Sequence, residues 1–367
     1  MQLKQIARDA LLKPLQAVSG IVERRNTLPI LANVLLEQKD GGLSITATDL
    51  EMQITAVADL PGKDGQSTTV AARKLQDLLR ALPDDAQLNV ETSGSKMTVR
   101  AGRSRFNLQT MAAGDYPRIS LGTEQLQTLS LPQKDLRALF RLAEFAMAQQ
   151  DIRYYLNGML LVVDQGSLQA VATDGHRLSW ASIAVAGSFA RQEVILPRKT
   201  VLELGKLLGD TDAPVTLDIL ANQVRFRFGK VELVSKVVDG KFPDYNRVIP
   251  TTHNKLVDLD RALLLAALQR AAILSNEKFR GVRVVLSDGT LRIICTNAEQ
   301  EEAEEELEVA YQGEGLDIGF NITYLLDVLQ NVGDERVQLA FGDANSSALF
   351  TLPGRDDYKY VVMPMRI

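Results

Sequence analysis

Cysteine occurs once in this 367-residue chain, tryptophan once and histidine twice. A single cysteine, Cys295, cannot form a disulfide within the chain, which fits a reducing, cytoplasmic compartment. Inside a strand-like stretch, Cys295 reads as small core filler. No apolar run reaches the length of a membrane helix, and Met1 to Lys13 lack the apolar stretch of a secretory signal. The stretch most like an active site is Asp174-Gly175-His176-Arg177, yet no nucleophile, metal cluster or second acid accompanies His176 by motif. The phosphate-cradling glycine loop, the His-Glu-x-x-His zinc motif and an acidic metal constellation are all missing. The sequence thus argues against an enzyme and calls for no cofactor and no metal.

What is present is a repeat. Leu43-Ser44-Ile45-Thr46-Ala47-Thr48-Asp49 returns as Leu168-Gln169-Ala170-Val171-Ala172-Thr173-Asp174, and again as Leu291-Arg292-Ile293-Ile294-Cys295-Thr296-Asn297. The step is roughly 125 residues each time, and self-similarity at a fixed step marks a chain built from copies of one unit. Each copy alternates apolar and polar positions, the pattern of a strand with one buried face, and ends on Thr followed by Asp or Asn, residues that start turns. Ala72-Arg73-Lys74, Pro197-Arg198-Lys199 and Asn321-Ile322-Thr323 keep the same step, each opening a short helix. The chain therefore divides into three similar domains, 1–122, 128–250 and 252–367, each of ordinary domain size.

The periodicity predicts helices at about 5–22, 72–82, 133–148, 198–208, 259–274 and 322–331, with Pro14 expected to kink the first. Leu75, Leu78, Leu79 and Leu82 make an apolar stripe that Ile322, Leu325, Leu326 and Leu329 reproduce. Short strands fill the intervals, near 33–38, 43–48, 87–91, 96–101 and 104–110 in the first copy. The class is α+β, three repeated domains each with two helices and two small antiparallel sheets.

Charge is unevenly spread. Residues 1–122 hold 15 Lys and Arg against 13 Asp and Glu, whereas residues 254–367 hold 11 against 19. A mildly basic head and an acidic tail attract each other between molecules, although a merely solvated acidic tail would show the same counts. Seven glutamates crowd into Glu299 to Glu308, which places that strand at an edge or under a partner. Basic residues gather near the predicted helices, and helices lying on one side would present a face suited to a polyanion.

The whole chain resembles the bacterial DNA polymerase III beta subunit family, the sliding clamps. The resemblance is carried by Arg24 to Leu31, Gly102-Arg103-Ser104-Arg105-Phe106, Asp151 to Gly158, Ala172 to Leu178, Asp239 to Tyr245, Ala272 to Arg283 and Tyr360 to Ile367. It implies a head-to-tail homodimeric ring of six similar domains, with helices lining the hole and sheets forming the rim. A clamp loader driven by ATP would place the ring on duplex DNA, where it tethers DNA polymerases. The implied peptide-binding cleft comprises Leu156, Thr173, Gly175, His176, Arg177, Leu178, Pro243, Arg247, Val248, Asn321, Tyr324, Val361, Met363, Pro364, Met365 and Arg366. Met363 and Met365 suit a cleft that accepts different peptides, because Met repacks easily; they also suit plain core packing. For DNA the resemblance points to Arg24, Arg73, Gln149, Arg153, Tyr154 and Lys199, contacting phosphates without sequence preference. For the dimer it points to Lys74, Arg103, Arg105 and Phe106 on the head, and to Ile273, Leu274, Glu299, Glu301, Glu302, Glu304 and Glu305 on the tail. By pattern alone Ile273 and Leu274 read as internal core, and Tyr154 and Tyr155 could equally be cleft or core. An enzyme built on repeats and a scaffold that never touches DNA are the competing functional readings.

Overall fold

A computed structural model describes residues 1–23, 28–39 and 41–366. Strand β1 (Gln2–Ala7) runs into helix α1 (Arg8–Ser19), followed by β2 (Asn33–Lys39), β3 (Gly42–Thr48), β4 (Met52–Ala58) and β5 (Ser67–Ala71). Helix α2 (Ala72–Ala81) precedes β6 (Gln87–Ser93), β7 (Lys96–Ala101), β8 (Ser104–Met111) and β9 (Gln125–Pro132). Helix α3 (Gln133–Ala143) precedes β10 (Gly158–Asp164), β11 (Ser167–Thr173), β12 (Arg177–Ala184) and β13 (Gln192–Pro197). Helix α4 (Arg198–Leu207) precedes β14 (Pro214–Leu220), β15 (Gln223–Phe228), β16 (Val231–Lys236) and β17 (Lys255–Asp260). Helix α5 (Arg261–Ala271) precedes β18 (Gly281–Ser287), β19 (Thr290–Thr296), β20 (Glu302–Glu308) and β21 (Leu316–Asn321). Helix α6 (Ile322–Asn331) precedes β22 (Arg336–Phe341), β23 (Ala348–Leu352) and β24 (Arg355–Val362). One helix followed by a short run of strands is thus the recurring half-unit.

The repeated heptads form β3, β11 and β19. Alternation holds in β19, where Leu291, Ile293 and Cys295 are buried and the residues between them less so. It fails in β3, all seven residues of which are buried, with α1 packed on β3 and β4. The helical stripes behave as the spacing requires: Leu75 and Leu79 of α2, and Ile322, Leu325 and Leu329 of α6, are buried. One expected helix is wrong at its start. Residues 2–7 form a strand, not the first turns of a helix over 5–22, because β1 pairs with β6 through Leu3–Val90 and Ile6–Leu88. Tertiary pairing there overrides a local apolar spacing that suits either element. Pro14 lies inside α1, which runs through it from Arg8 to Ser19.

The chain forms two compact units that follow the sheets rather than the sequence repeat. One comprises Met1–Lys134 with Leu202–Val237, the other Asp135–Val201 with the chain from Val238 onward. The first unit holds a twelve-stranded sheet in the order β1-β6-β7-β8-β5-β2-β3-β4-β16-β15-β14-β9. Its continuity rests on β4 meeting β16 antiparallel, with Ile54 opposite Leu233. The second unit holds an eight-stranded sheet, β13-β10-β11-β12-β24-β23-β22-β17, and a four-stranded sheet, β20-β19-β18-β21. Among the described residues, no helix is long and apolar enough to cross a membrane.

Candidate functional site

The Thr-Asp ending of the repeat is a turn device. The Asp174 carboxylate oxygen Oδ1 accepts the backbone N–H of His176 at 2.9 Å and of Arg177 at 3.0 Å. Thr173 Oγ1 donates to the Arg177 carbonyl and accepts the Gly175 N–H at 3.1 Å. The first copy repeats this: Asp49 Oδ1 accepts from Glu51 and Met52, and Thr48 Oγ1 from the Leu50 N–H. In the third copy Asn297 Oδ1 accepts from Glu299 and Glu301. Short side-chain acceptors that bond the backbone two or three residues on hold such turns closed. The shared Asp is therefore structural, and what distinguishes the second copy is the exposed Gly175-His176 tip it carries. Gly175 sits at φ +89°, and a Cβ there would lie 2.8 Å from Arg153 Nη2.

Arg177 leaves the turn as the first residue of β12, with all three guanidinium nitrogens engaged. Its Nε donates to Asp174 Oδ2 at 3.1 Å, its Nη1 to Asp327 Oδ2 on α6, and its Nη2 to the Phe145 carbonyl at 2.7 Å. The guanidinium lies 4.5 Å from the centre of the Tyr324 ring. Burial alone would lower its pKa, but the surrounding groups, Tyr360, Asp327 and Asp174, outweigh that and raise it, so the cation is permanent. Tyr324 in turn stacks on His176, ring centres 6.5 Å apart and tilted by 21°. Arg177, His176 and Tyr324, expected together, are brought together.

Beneath them Leu156, Leu178 and Val361 are buried in one cluster with Phe242 and Tyr245. These three are floor, 2%, 3% and 1% exposed, and not open walls; β12 and β24 pair at Leu178–Val361, setting those two side by side in the cluster. Thr173 is buried too, its hydroxyl spent on the turn. The exposed members are Gly175, His176, Pro243, Arg247, Val248, Met363 and Arg366. Arg247 pairs with Asp244 at 3.0 Å, beside Pro243. The segment after β24 is tied at two points: the Met363 N–H donates to the His176 carbonyl at 2.8 Å, and the Met365 N–H to the Gly319 carbonyl at 2.7 Å. Met363, Pro364 and Met365 thus run from the eight-stranded sheet to the four-stranded one. Asn321 caps α6, accepting the Thr323 N–H at 2.9 Å. The result is an apolar floor with an adaptable, partly exposed Val and Met surface and cationic edges, suited to an extended apolar peptide. Sequence reasoning missed Asp327, Phe145, Phe242 and Tyr245. Only Asp327 carried a signal, its spacing of three from Tyr324 on one helix face.

The residues expected to meet DNA fall differently. Arg24 lies outside the described residues. Arg73 is exposed on α2 and donates to the Val22 carbonyl at 3.1 Å. Gln149 and Tyr154 are exposed, and Lys199 is half-buried on α4. Arg153 is already engaged, with Nε and Nη2 on the Asp151 carboxylate and Nη2 also on the Asp174 carbonyl. That hydrogen-bonded pairing holds the Asp151 carboxyl down at about 2.

Of the residues expected at a dimer interface, Arg105 and Phe106 lie on β8 and Glu302, Glu304 and Glu305 on β20. Among the described residues, only Thr110 and Met111 of β8 pair with β5, so Ser104 to Gln109 have a partner strand, β7, on one side alone. Lys74, Arg103 and Arg105 are exposed, and Phe106 is half-buried. Strand β20 is the end strand of the four-stranded sheet. Ile273 is 78% exposed and Leu274 half-buried, which excludes Ile273 from the chain's own core. Glu299, Glu301, Glu302 and Glu304 are exposed. Glu305 accepts both Nε and Nη2 of Arg270, and Glu304 accepts Arg292 Nη1 at 3.1 Å, so two of the acidic residues already have cations within the chain.

Comparison with known proteins covers the whole chain. Family models of the DNA polymerase III beta subunit match residues 1–120 for its N-terminal domain, 130–244 for its central domain and 246–366 for its C-terminal domain. The chain is 51% identical over 365 residues to the beta sliding clamp of Pseudomonas putida, covering 99% of each. It is 46% identical over 363 residues to that of Escherichia coli K12, again covering 99% of each. A crystal structure of a sliding clamp from Pseudomonas aeruginosa bound to griselimycin superimposes with a TM-score of 0.96 at 49% identity, covering 100% of both chains.

Proposed function

This chain belongs to the DNA polymerase III beta subunit family, the bacterial sliding clamps, and we propose how its residues do a clamp's work. Sliding clamps are processivity subunits without a catalytic site of their own, and the chain acts as one. Two copies close head to tail around duplex DNA, each contributing three clamp domains, 1–122, 128–250 and 252–367. The observation that carries this reading is the pair of open strands, β8 beside Arg103 and Arg105, and β20 with its glutamates. Unpaired strand edges invite another chain, and opposite charge on the two selects head against tail. Phe106 with Ile273 and Leu274 supplies the apolar contact. Glu305 would exchange Arg270 for a partner cation or share itself between the two.

The cleft around His176, Tyr324, Val248 and Met363 takes short linear peptides from DNA polymerases and from the clamp loader. Griselimycin, bound to the Pseudomonas aeruginosa clamp, is the ready probe of that site here. Arg73, Lys199, Gln149 and Tyr154, with Arg24, face phosphates. Arg153 contributes less than its charge suggests, since Asp151 already neutralises it. The protein works in the cytoplasm, where the chromosome is.

With a net charge of −5, tight DNA binding is not what retains the protein. A few phosphate contacts weaken steeply with salt, whereas escape of a closed ring needs an opening or a DNA end. Once loaded on nicked circular DNA, the protein should survive a high-salt wash and leave promptly when the circle is cut. Equal loss from circular and linear DNA would overturn the encircling mechanism.

A further inference from the structure

We propose that Asp327 is a positioning residue for the cleft: through Arg177 it fixes the His176–Tyr324 pair against which a bound peptide lies. The inference rests on the cleft reading above and goes beyond it, since Asp327 is not among the residues expected to touch a peptide. The geometry is specific. Arg177 has three anchors: Asp174 on its own turn, the Phe145 carbonyl, and Asp327 on α6. Of these only Asp327 belongs to the helix that carries Tyr324, one turn away. Asp327 therefore sets where the guanidinium lies over the Tyr324 ring, and that ring is what His176 stacks upon. The Tyr324 backbone is held separately, by the Tyr360 hydroxyl donating to its carbonyl at 2.9 Å. Loss of Asp327 should thus free the rings while leaving the helix seated. A cation stripped of one partner in a partly buried site swings toward its remaining acceptors, here Asp174 and Phe145, both off α6.

A plain stabilising ion pair predicts only a lower unfolding temperature. A positioning role predicts more, and the two histidines make it readable, because the imidazole ring-proton signals come from His176 and His253 alone. In the unaltered dimer the His176 ring protons should be shifted by the Tyr324 ring current and show cross-relaxation with it. Their absence would overturn the proposal without any variant. Asp327→Asn should return the His176 signals toward those of a free imidazole, leave His253 in place, and weaken griselimycin binding about tenfold at unchanged dimer mass. Asp327→Glu, which keeps the charge, should restore most of the affinity. If Asp327→Asn does not fold, Asp327→Ala, which removes the carboxylate without putting an amide in its place, is read in the same way. Either variant binding griselimycin as tightly as the unaltered protein overturns the proposal. Failure of the unaltered protein to bind griselimycin, or binding that leaves His176 unmoved, rejects the cleft reading instead.

Discussion

Asp174 holds Arg177 twice, its Oδ1 accepting the backbone N–H at 3.0 Å and its Oδ2 the side-chain Nε at 3.1 Å. One carboxylate therefore fixes both the path of the turn and the direction of the cation that leaves it. His176, between them, is the only side chain at the tip free to face solvent while its backbone is locked on both sides.

The same turn in two copies makes a paired test. Gly175 at φ +89° corresponds to Leu50 at φ +77°, a conformation that a side chain strains. Gly175→Ala should destabilise the protein by about 1–2 kcal/mol and weaken griselimycin binding, because the new Cβ displaces Arg153. Leu50→Gly should be neutral to stabilising by up to about 1 kcal/mol, with binding unchanged. Urea unfolding of both variants decides it, and matching losses would show that backbone strain is not what separates them.

Replacing both Ile273 and Leu274 with Ala should yield folded monomers. At 78% exposed, Ile273 contributes little to the chain's own core, so its loss should cost the fold little. Association should weaken by about 2 kcal/mol or more for each apolar anchor lost, while the unfolding midpoint of the monomer hardly moves. Sedimentation at the dimer mass would count against this surface. Because Glu304 and Glu305 already pair within the chain, raising salt alone should loosen the dimer far less than the double substitution.

Stability should fall at alkaline pH. Tyr116 is buried, its hydroxyl donates to the Asn33 carbonyl at 3.1 Å, and burial pushes its pKa from 10.0 up to about 12. The folded state favours the protonated phenol, so this contribution is complete below the unfolded value near 10. It is lost as pH rises from there through about 12. Burial moves Tyr358 and Tyr360 in the same direction. Tyr116→Phe should remove on the order of 2 kcal/mol of the alkaline loss. Identical pH dependence in the two proteins would refute the assignment.

Much of the fold was legible because its signals are local. The Leu75–Leu79 stripe, the heptads of β3, β11 and β19, and the Thr-Asp turns each act through residues a few positions apart. The start of α1 was misread because β1 is chosen by a partner nearly ninety residues away, Gln2 opposite Glu91. Ile273 looked like core because an apolar residue ending an apolar helix reads the same whether its cover is internal or another molecule. In the cleft, residue type marked His176, Arg177 and Met363, but not that Leu156 and Val361 lie beneath the surface or that Asp327 completes the ion pair. Those facts depend on β12 meeting β24 and on α6 reaching the turn, which pairwise spacing in sequence does not encode.

The open edges of β8 and β20 have a consequence for solubility. A chain with one basic and one acidic sticky edge is a monomer fit for polymerisation: any joining angle that failed to close would leave a fresh edge at each end and grow a filament. In the proposed dimer, closure at two copies would use both of these edges at once. A substitution that bent either strand and so prevented that closure should be felt first as fibres or precipitate, not as loss of the folded chain.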